Sequence, residues 1–256
     1  MKTHLKLFFL LILTTCITFI SCSDNSQEPT PPETVKDYFP NKNGSNYLYE
    51  LEIIDSASNI INGERRVSYN GTQQISNSTY QILIDSYDYS LYSITDSAYF
   101  NKSDLYLNYN ADNSQAMMLV PDSLRNLVQS DKEACMLQFP MANGKTWPVY
   151  KFGLNYGLFV FNIISVSAQV EKIENLSLNL NNIPVTIEAI KLKYQMSIAM
   201  DPYSAPTNYY AEAWMIDNIG LVKLEGNSEA INFMIGNNLF LPNVTVRQTL
   251  KQYSIP

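Results

Sequence analysis

The chain has 256 residues, 46% of them hydrophobic and 16% charged, with a formal net charge of −7 at pH 7. The apolar content is enough for a folded core, and the acidic balance excludes the basic surface on which nucleic acids dock. The one histidine is His4, so the chain after residue 21 cannot form a Ser-His-Asp triad or a histidine-containing zinc site.

The first 21 residues are organised like a secretory signal peptide. Lys2 and Lys6 precede an apolar run, and Ser21 is the small residue expected before a cleavage site. Residues 19–22, Phe-Ile-Ser-Cys, resemble the bacterial lipobox, which implies cleavage before Cys22 and acylation of that residue. The alternative is an ordinary signal peptide with an incidental cysteine. Removal of the two lysines leaves 15 basic and 24 acidic residues, a net charge of −9.

Residues 22–37 are predicted to be an extended tether, because they include three prolines and few apolar side chains. Ser23 occupies the position at which an aspartate retains lipoproteins in the inner membrane, so the pattern favours the outer membrane. The resemblance leaves open whether the protein faces the periplasm or the cell surface. Residues 38–256 are predicted to form a single β-rich domain.

From residue 45 onward, apolar and polar side chains alternate with a period of two, which predicts β-strands. In the first half of the chain the predicted strands are Tyr47–Ile54, Glu64–Tyr69, Tyr80–Ser86, Leu91–Phe100, Leu105–Asn108, Ala116–Val120 and Met136–Phe139. Residues 121–129 are predicted to form a short helix, with Leu124, Leu127 and Val128 on one side.

The second half of the chain contains the longest predicted strands. The run around residues 159–164 has apolar side chains on both faces, which predicts a central strand buried on both faces. Residues 190–200 alternate over about 35 Å, and the change of phase at Glu188–Ala189 predicts a β-bulge. A hairpin is predicted at residues 208–226 with its turn at Asp217–Asn218, followed by a weak helix at 229–236 and a last strand at 244–254.

Long strands with one apolar face favour a curved antiparallel sheet or an open barrel, with one or two short helices. A β-sandwich is the alternative. Residues 37–50 and 209–226 also resemble the opening and the closing hairpin of small lipoproteins of the Bacteroidetes kind. The residues that carry the second match are Tyr209, Tyr210, Gly220, Leu221, Val222 and Lys223. The resemblance implies a curved sheet similar to periplasmic lipoprotein carriers, with a concave face that holds something apolar.

The first functional hypothesis is therefore a non-enzymatic lipoprotein that binds an apolar or amphipathic ligand. The predicted ligand-binding side chains are Tyr194, Met196, Ile198, Met200 and Trp214. Methionine suits adaptable apolar pockets, although it also fills ordinary cores.

The second hypothesis is a surface module that binds a glycan or a protein through aromatic side chains. Tyr87, Tyr89, Tyr92 and Tyr99 are interleaved with aspartates, and rings beside carboxylates can hold sugars. A structural protein without a small ligand is the third reading. No enzyme, cofactor or metal site is expected, because histidine is missing and the paired carboxylates match no catalytic signature. The oligomeric state stays open.

Overall fold

The computed structural model describes residues 36–256 except 91, 112, 119, 237 and 238, and only the backbone of 114 and 115. The predicted signal peptide, most of the predicted tether and the predicted lipidation site at Cys22 lie outside the described residues. Within the described chain, thirteen strands form one antiparallel sheet. Three short helices accompany the sheet.

The strands are β1 (Asn46–Ile54), β2 (Ile60–Ile75), β3 (Ser78–Tyr89), β4 (Tyr92–Lys102), β5 (Tyr106–Asn110), β6 (Val128–Ser130), β7 (Glu133–Gln138), β8 (Thr146–Asn155), β9 (Val160–Leu180), β10 (Ile183–Ile198), β11 (Thr207–Ile216), β12 (Gly220–Asn227) and β13 (Thr245–Ser254). The helices are α1 (Ser114–Met118), a 3₁₀ helix (Asp122–Leu127) and α2 (Ser228–Ile235). The strand order across the sheet is β6-β8-β9-β10-β11-β12-β13-β1-β2-β3-β4-β5-β7.

The sheet curves until its two ends approach each other. The indole nitrogen of Trp147 in β8 donates to the carbonyl of Cys135 in β7 at 2.9 Å. The hydroxyl of Tyr194 in β10 donates to the carbonyl of Met136 in β7 at 2.8 Å. These bonds join strands from opposite ends of the order, but no backbone ladder between described residues closes the sheet. The predicted large curved antiparallel sheet with short helices is confirmed, and the sandwich alternative does not apply.

The core lies on one face of this sheet, here called the inner face. In β10, Leu192, Tyr194 and Met196 are buried on it, while Lys191 and Lys193 point to the outer face. This separation follows from the alternation of side chains along a strand. Helix α2 adds Ala230 and Ile231 to the same core.

Two predictions about local structure are wrong. Residues 116–118 belong to helix α1, not to a strand, and the Met117 amide donates to the Asn113 carbonyl at 2.9 Å. Alanine and methionine are good helix formers, and here the local preference prevails over the apolar pattern. Phe159 lies in an exposed turn before β9, Val160 and Asn162 are exposed, and Phe161, Ile163 and Ile164 are only half-buried, so the 159–164 segment is not buried on both faces. The helix predicted at 121–129 is the 3₁₀ helix, and that at 229–236 is α2.

The predicted bulge is displaced. The register between β9 and β10 shifts between Lys191 and Leu192, and not at Glu188–Ala189. Residues 174–180 and 183–189 pair only with each other, as a hairpin arm beyond the neighbouring strands. The arm contacts β13, where the Asn181 amide donates to the Lys251 carbonyl at 2.7 Å. Val185 and Ile187 are out of phase with Leu192 and are half-buried against the core, so in the arm the other face of β10 is covered.

Candidate functional site

An apolar groove of about 450 Å³ opens where the ends of β8, β9 and β10 meet the helical segment after β5. The sheet side of the groove includes Phe152, Leu154, Phe161, Ile164 and Ile198. The helical side includes Ala116, Val120, Pro121 and Leu124, and the mouth includes Tyr156, Phe159, Met200 and Asp201. These residues are here called the apolar groove.

The sheet side is built from cross-strand neighbours. Phe152 pairs with Ile164, and Ile164 pairs with Ile198, so the three side chains form a row on the inner face. The register then shifts between Phe152 and Gly153, and Leu154 pairs with Phe161. A Cβ atom on Gly153 would lie 2.3 Å from the Phe161 carbonyl oxygen, so this close approach of the two strands requires glycine.

The helical side is held by hydrogen bonds to strands β6 and β8. The Tyr150 hydroxyl bonds to the side-chain oxygen of Asn113. The Asn113 amide nitrogen donates to the Ser130 hydroxyl at 2.9 Å. Burial raises the pKa of Tyr150 to about 12, so the phenol keeps the proton that it donates. These bonds fix the segment that carries Ala116, Val120 and Leu124 over the end of the sheet.

Asp201 supplies the only charge among the described residues that line the groove. Its carboxylate accepts the amides of Tyr203 at 2.8 Å and Ser204 at 2.9 Å. A hydrogen bond from the Ser204 side chain and those amides lower the pKa of Asp201. The mouth of the groove is therefore negatively charged at neutral pH, and the rest of its lining is almost entirely apolar.

The structure brings together only part of the predicted ligand-binding set. Ile198 and Met200 line the apolar groove. Tyr194 lies deeper, beside a separate cavity of about 100 Å³, and Met196 is buried between the two. Tyr194 is committed to its hydrogen bond with Met136, and burial raises its pKa.

Trp214 does not belong with these side chains, because it lies on the outer face. It pairs across strands with Lys191, and its indole nitrogen donates to Glu174 at 2.8 Å. The ammonium group of Lys223 lies 4.4 Å from the indole ring. The alternation along β10 was readable from the sequence, but the register of β11 against it was not.

The four tyrosines of the second hypothesis do not share one exposed platform. Tyr87 is buried and donates to Asp85 at 3.0 Å. Tyr89 packs at 5.7 Å from the exposed ring of Tyr92, and its hydroxyl donates to the Leu239 carbonyl at 2.9 Å. Tyr99 pairs with Ile82, which lies on the face of β3 opposite to that of Tyr87 and Tyr89.

The inner face also holds an ion pair that the sequence analysis missed. Arg65 is buried beside Asp85 and donates to the Gln248 side-chain oxygen at 2.7 Å. Its guanidinium lies 5.4 Å from the Tyr49 ring and 5.5 Å from the Tyr87 ring. The available signal was a charged residue in phase with Val67 and Tyr69, which are buried in the same strand.

Other site classes find no support in the described part of the chain. No group of three or more His, Cys, Asp or Glu residues there could hold a metal ion. None of the described helices has the length and apolar character needed to cross a membrane.

No model of a known protein family matches the chain, and the curated proteins contain no significant match. Among solved structures, a Bacteroides fragilis chain described as an exported protein with a YmcC-like fold is similar, with 13% identity and a TM-score of 0.46. A lipoprotein structure from Parabacteroides distasonis gives 12% identity and a TM-score of 0.42. Both matches cover 86% of this chain and 99% of the other.

The hypothetical lipoprotein YmcC from Escherichia coli gives 10% identity and a TM-score of 0.33, over 81% of this chain and 83% of that one. At these identities and TM-scores, the likeness establishes neither a shared family nor a shared function.

Proposed function

We propose that this protein is a non-enzymatic lipoprotein of the bacterial outer membrane, anchored through acylated Cys22, which holds an apolar chain in the apolar groove. The signal-like residues 1–21 and the lipobox-like residues 19–22 support the anchor. Two or three acyl chains would hold the protein durably at a membrane. The groove itself is the observation that carries the binding function.

The size and lining of the groove support a slender apolar ligand. Its volume of about 450 Å³ lies within the usual range of small-molecule sites, roughly 300–1,000 Å³. Phe152, Phe161 and Ile198 offer apolar contacts along the groove. The described lining residues include no lysine, arginine or histidine. Burial of apolar ligand surface against these side chains is the expected driving force.

The electrostatics of the mouth select among amphipathic ligands. Asp201 is ionised at neutral pH and has no cationic partner among the described residues that line the groove. A sulfate or carboxylate head placed beside it would be repelled, whereas an uncharged or cationic head would not. The ligand class proposed here is therefore an aliphatic chain with a neutral or positively charged head.

The groove does not resemble a catalytic site. General acid–base chemistry needs a group whose pKa lies near the working pH, and the pKa of Asp201 is shifted downward, away from it. The glycan alternative has little support, because Tyr87 is buried and Tyr99 lies on the other face from Tyr87, Tyr89 and Tyr92.

Binding can be tested with three amphiphiles that share a dodecyl chain, all used below their micelle concentrations. The mature chain carrying Cys22→Ser is titrated with dodecyltrimethylammonium, dodecyl maltoside and dodecyl sulfate, and complexes are counted by native mass spectrometry. We expect one-to-one binding of the first two and markedly weaker binding of dodecyl sulfate. Equal binding of all three would contradict the assignment of the head to the Asp201 end.

A groove-filling variant makes the test specific. Ala116→Phe places a ring in the groove and should weaken binding of dodecyl maltoside about tenfold or more. Ala57→Phe is the matched control, because Ala57 lies exposed in the turn between β1 and β2. Undiminished binding by a folded Ala116→Phe variant would refute the groove as the site.

A further inference from the structure

Two turns at the mouth of the apolar groove expose large apolar side chains. Leu158 is 101% exposed and Phe159 60%, in the turn between β8 and β9. Met200 is 83% exposed and Tyr203 97%, in the loop between β10 and β11. The exposed set is here called the apolar tip and consists of Tyr156, Leu158, Phe159, Val160, Met200 and Tyr203.

The turns hold these side chains outward by their own hydrogen bonds. The Tyr156 amide donates to the Phe159 carbonyl at 3.0 Å, and Gly157 at the apex has a φ of 82°. The Asn155 side chain accepts the Gly157 amide at 2.8 Å, and the rings of Tyr156 and Phe159 stack at 5.2 Å. Leu158 is therefore presented to solvent by a well-bonded turn. Clustered exposure of this kind marks an interaction surface.

We propose that the apolar tip inserts into the surface of an electrically neutral lipid bilayer. Residues 155–160 carry no charge, and Asp201 is the one charged residue in 199–206. Tyrosine rings such as those of Tyr156 and Tyr203 are favoured at the membrane–water interface, where an apolar body meets a polar end. The net charge of −9 that remains after removal of residues 1–21 opposes binding to anionic lipid, so a neutral surface is the matching partner.

The shape of the tip also favours a bilayer over a protein. Protein interfaces match two surfaces of fixed shape at high packing density. A side chain that projects from the apex of a turn is not surrounded by a surface that a rigid partner protein could pack against. A fluid bilayer, in contrast, can rearrange around it. The six side chains of the tip are themselves uncharged and stand on convex turns, which suits shallow insertion.

The proposed anchor keeps a bilayer within reach of the tip. Lys36 lies 3.0 Å from Glu188, ten residues before Ile198 in β10, which is about 33 Å of strand. The 14 residues from Cys22 to Lys36 span at most about 50 Å when extended. The tip can therefore reach the membrane that holds the anchor. This step rests on the proposed lipid anchor, and it places the groove mouth at the lipid surface.

The test uses the mature chain with Cys22→Ser, so that no acyl chain contributes to binding. Leu158→Trp adds a reporter at the apex, because the native Trp147 and Trp214 are buried. With phosphatidylcholine vesicles we expect a blue shift of the emission and flotation with the vesicles. Vesicles with phosphatidylglycerol as 30% of their lipid should bind less. The same emission with and without phosphatidylcholine vesicles would overturn the proposal.

Paired variants distinguish membrane binding by the tip from non-specific adsorption of exposed apolar side chains. Leu158→Asp combined with Tyr203→Asp, two exposed side chains that do not line the groove, should abolish flotation, while Leu105→Asp, at the opposite end of the strand order, should not. Unchanged flotation of the double variant would overturn the proposal. It would also be overturned if the parent chain self-associated with increasing concentration and the double variant did not, because a second copy would then be the partner of the tip. Dodecyl maltoside binding by the double variant tests the groove separately, so the two proposals can fail independently.

Discussion

Arg65 and Asp85 form a bidentate ion pair on the inner face of the sheet. Nη2 of Arg65 lies 2.7 Å from Oδ2 of Asp85, and Nε lies 2.9 Å from Oδ1. The pair joins β2 to β3, and Gln248 extends it to β13. A buried pair of this kind is strongly destabilised when one partner is lost, because the other charge stays buried without compensation.

Asp85→Asn should therefore lower the free energy of unfolding by about 3–5 kcal/mol, measured by urea denaturation. Combining Arg65→Met with Asp85→Leu should recover at least half of that loss, since no buried charge remains. Asp122→Asn, which breaks the exposed pair with Arg125, is the control and should cost less than about 1 kcal/mol. Equal losses for Asp85→Asn and Asp122→Asn would contradict a buried role.

The C-terminal end of α2 requires glycine. Gly236 has a φ of 74°, and a Cβ atom there would lie 1.5 Å from the Tyr109 hydroxyl oxygen. Gly236→Ala should lower the free energy of unfolding by about 3 kcal/mol, from backbone strain and a steric clash together. Gly71→Ala is a matched control, because Gly71 has a φ of 82° and nothing within 4 Å of its added Cβ. The free energy of unfolding of the control should fall by only about 1 kcal/mol. Similar losses in both variants would show that the Tyr109 side chain moves away from the added Cβ atom.

Glu225 makes stability depend on acid pH. It accepts from Arg247 at 3.0 Å and lies 2.9 Å from Lys223. The hydrogen bond from Arg247, then that from Lys223, lowers the pKa of Glu225 from 4.5 to about 2. The stabilisation is present above pH 4.5 and is lost as the pH falls toward 2, and partial solvent exposure limits it to about 1 kcal/mol.

Unfolding by urea at pH 7, 4 and 3 should show this loss in the native chain. Glu225→Gln should lower the free energy of unfolding at pH 7, and it should reduce the change of that free energy between pH 4.5 and 3. An unaltered slope in the variant would assign the acid sensitivity to other carboxylates.

The two faces of β10 and β11 predict different effects on ligand binding. Trp214→Phe should leave binding of dodecyl maltoside within about twofold, because Trp214 lies on the outer face beside Lys191 and Lys223. Ile198→Ser should weaken it about tenfold or more, because Ile198 lines the groove. Titration followed by native mass spectrometry measures both, and the reverse order of effects would move the site to the outer face.

The proposed anchor predicts a processed amino terminus. In a bacterial host, the native chain should lose residues 1–21, incorporate radiolabelled palmitate and partition into the detergent phase of Triton X-114. Cys22→Ala should abolish all three, and Cys135→Ala is the control that should preserve them. Palmitate incorporation by the Cys22→Ala chain would refute lipidation at that position.

Alternation was sufficient to predict the single large sheet, because a strand with Leu192 and Tyr194 inside and Lys191 and Lys193 outside needs only one covered face. It could not assign Trp214, because a residue's face in one strand depends on its register with the next, and the pairing of Trp214 with Lys191 is set between strands and not within β11. Ile198 and Met200 were found because the pattern of β10 continues to the groove. Phe152 and Phe161 were missed because the shift beside Gly153 is not encoded in any local pattern.

Strand β13, residues 245–254, lies between β12 and β1, so the sheet is not complete until these ten residues have paired. β1 to β5 and β7 are contiguous on one side of it, and β6 and β8 to β12 are contiguous on the other. The first and last strands of the chain thus pair in the middle of the sheet, Tyr49 opposite Leu250. Such long-range pairing slows folding. Under the proposed export, the pairing of β13 with β12 and β1 can form only after residues 245–254 have crossed the membrane, so this part of the sheet is completed on the far side.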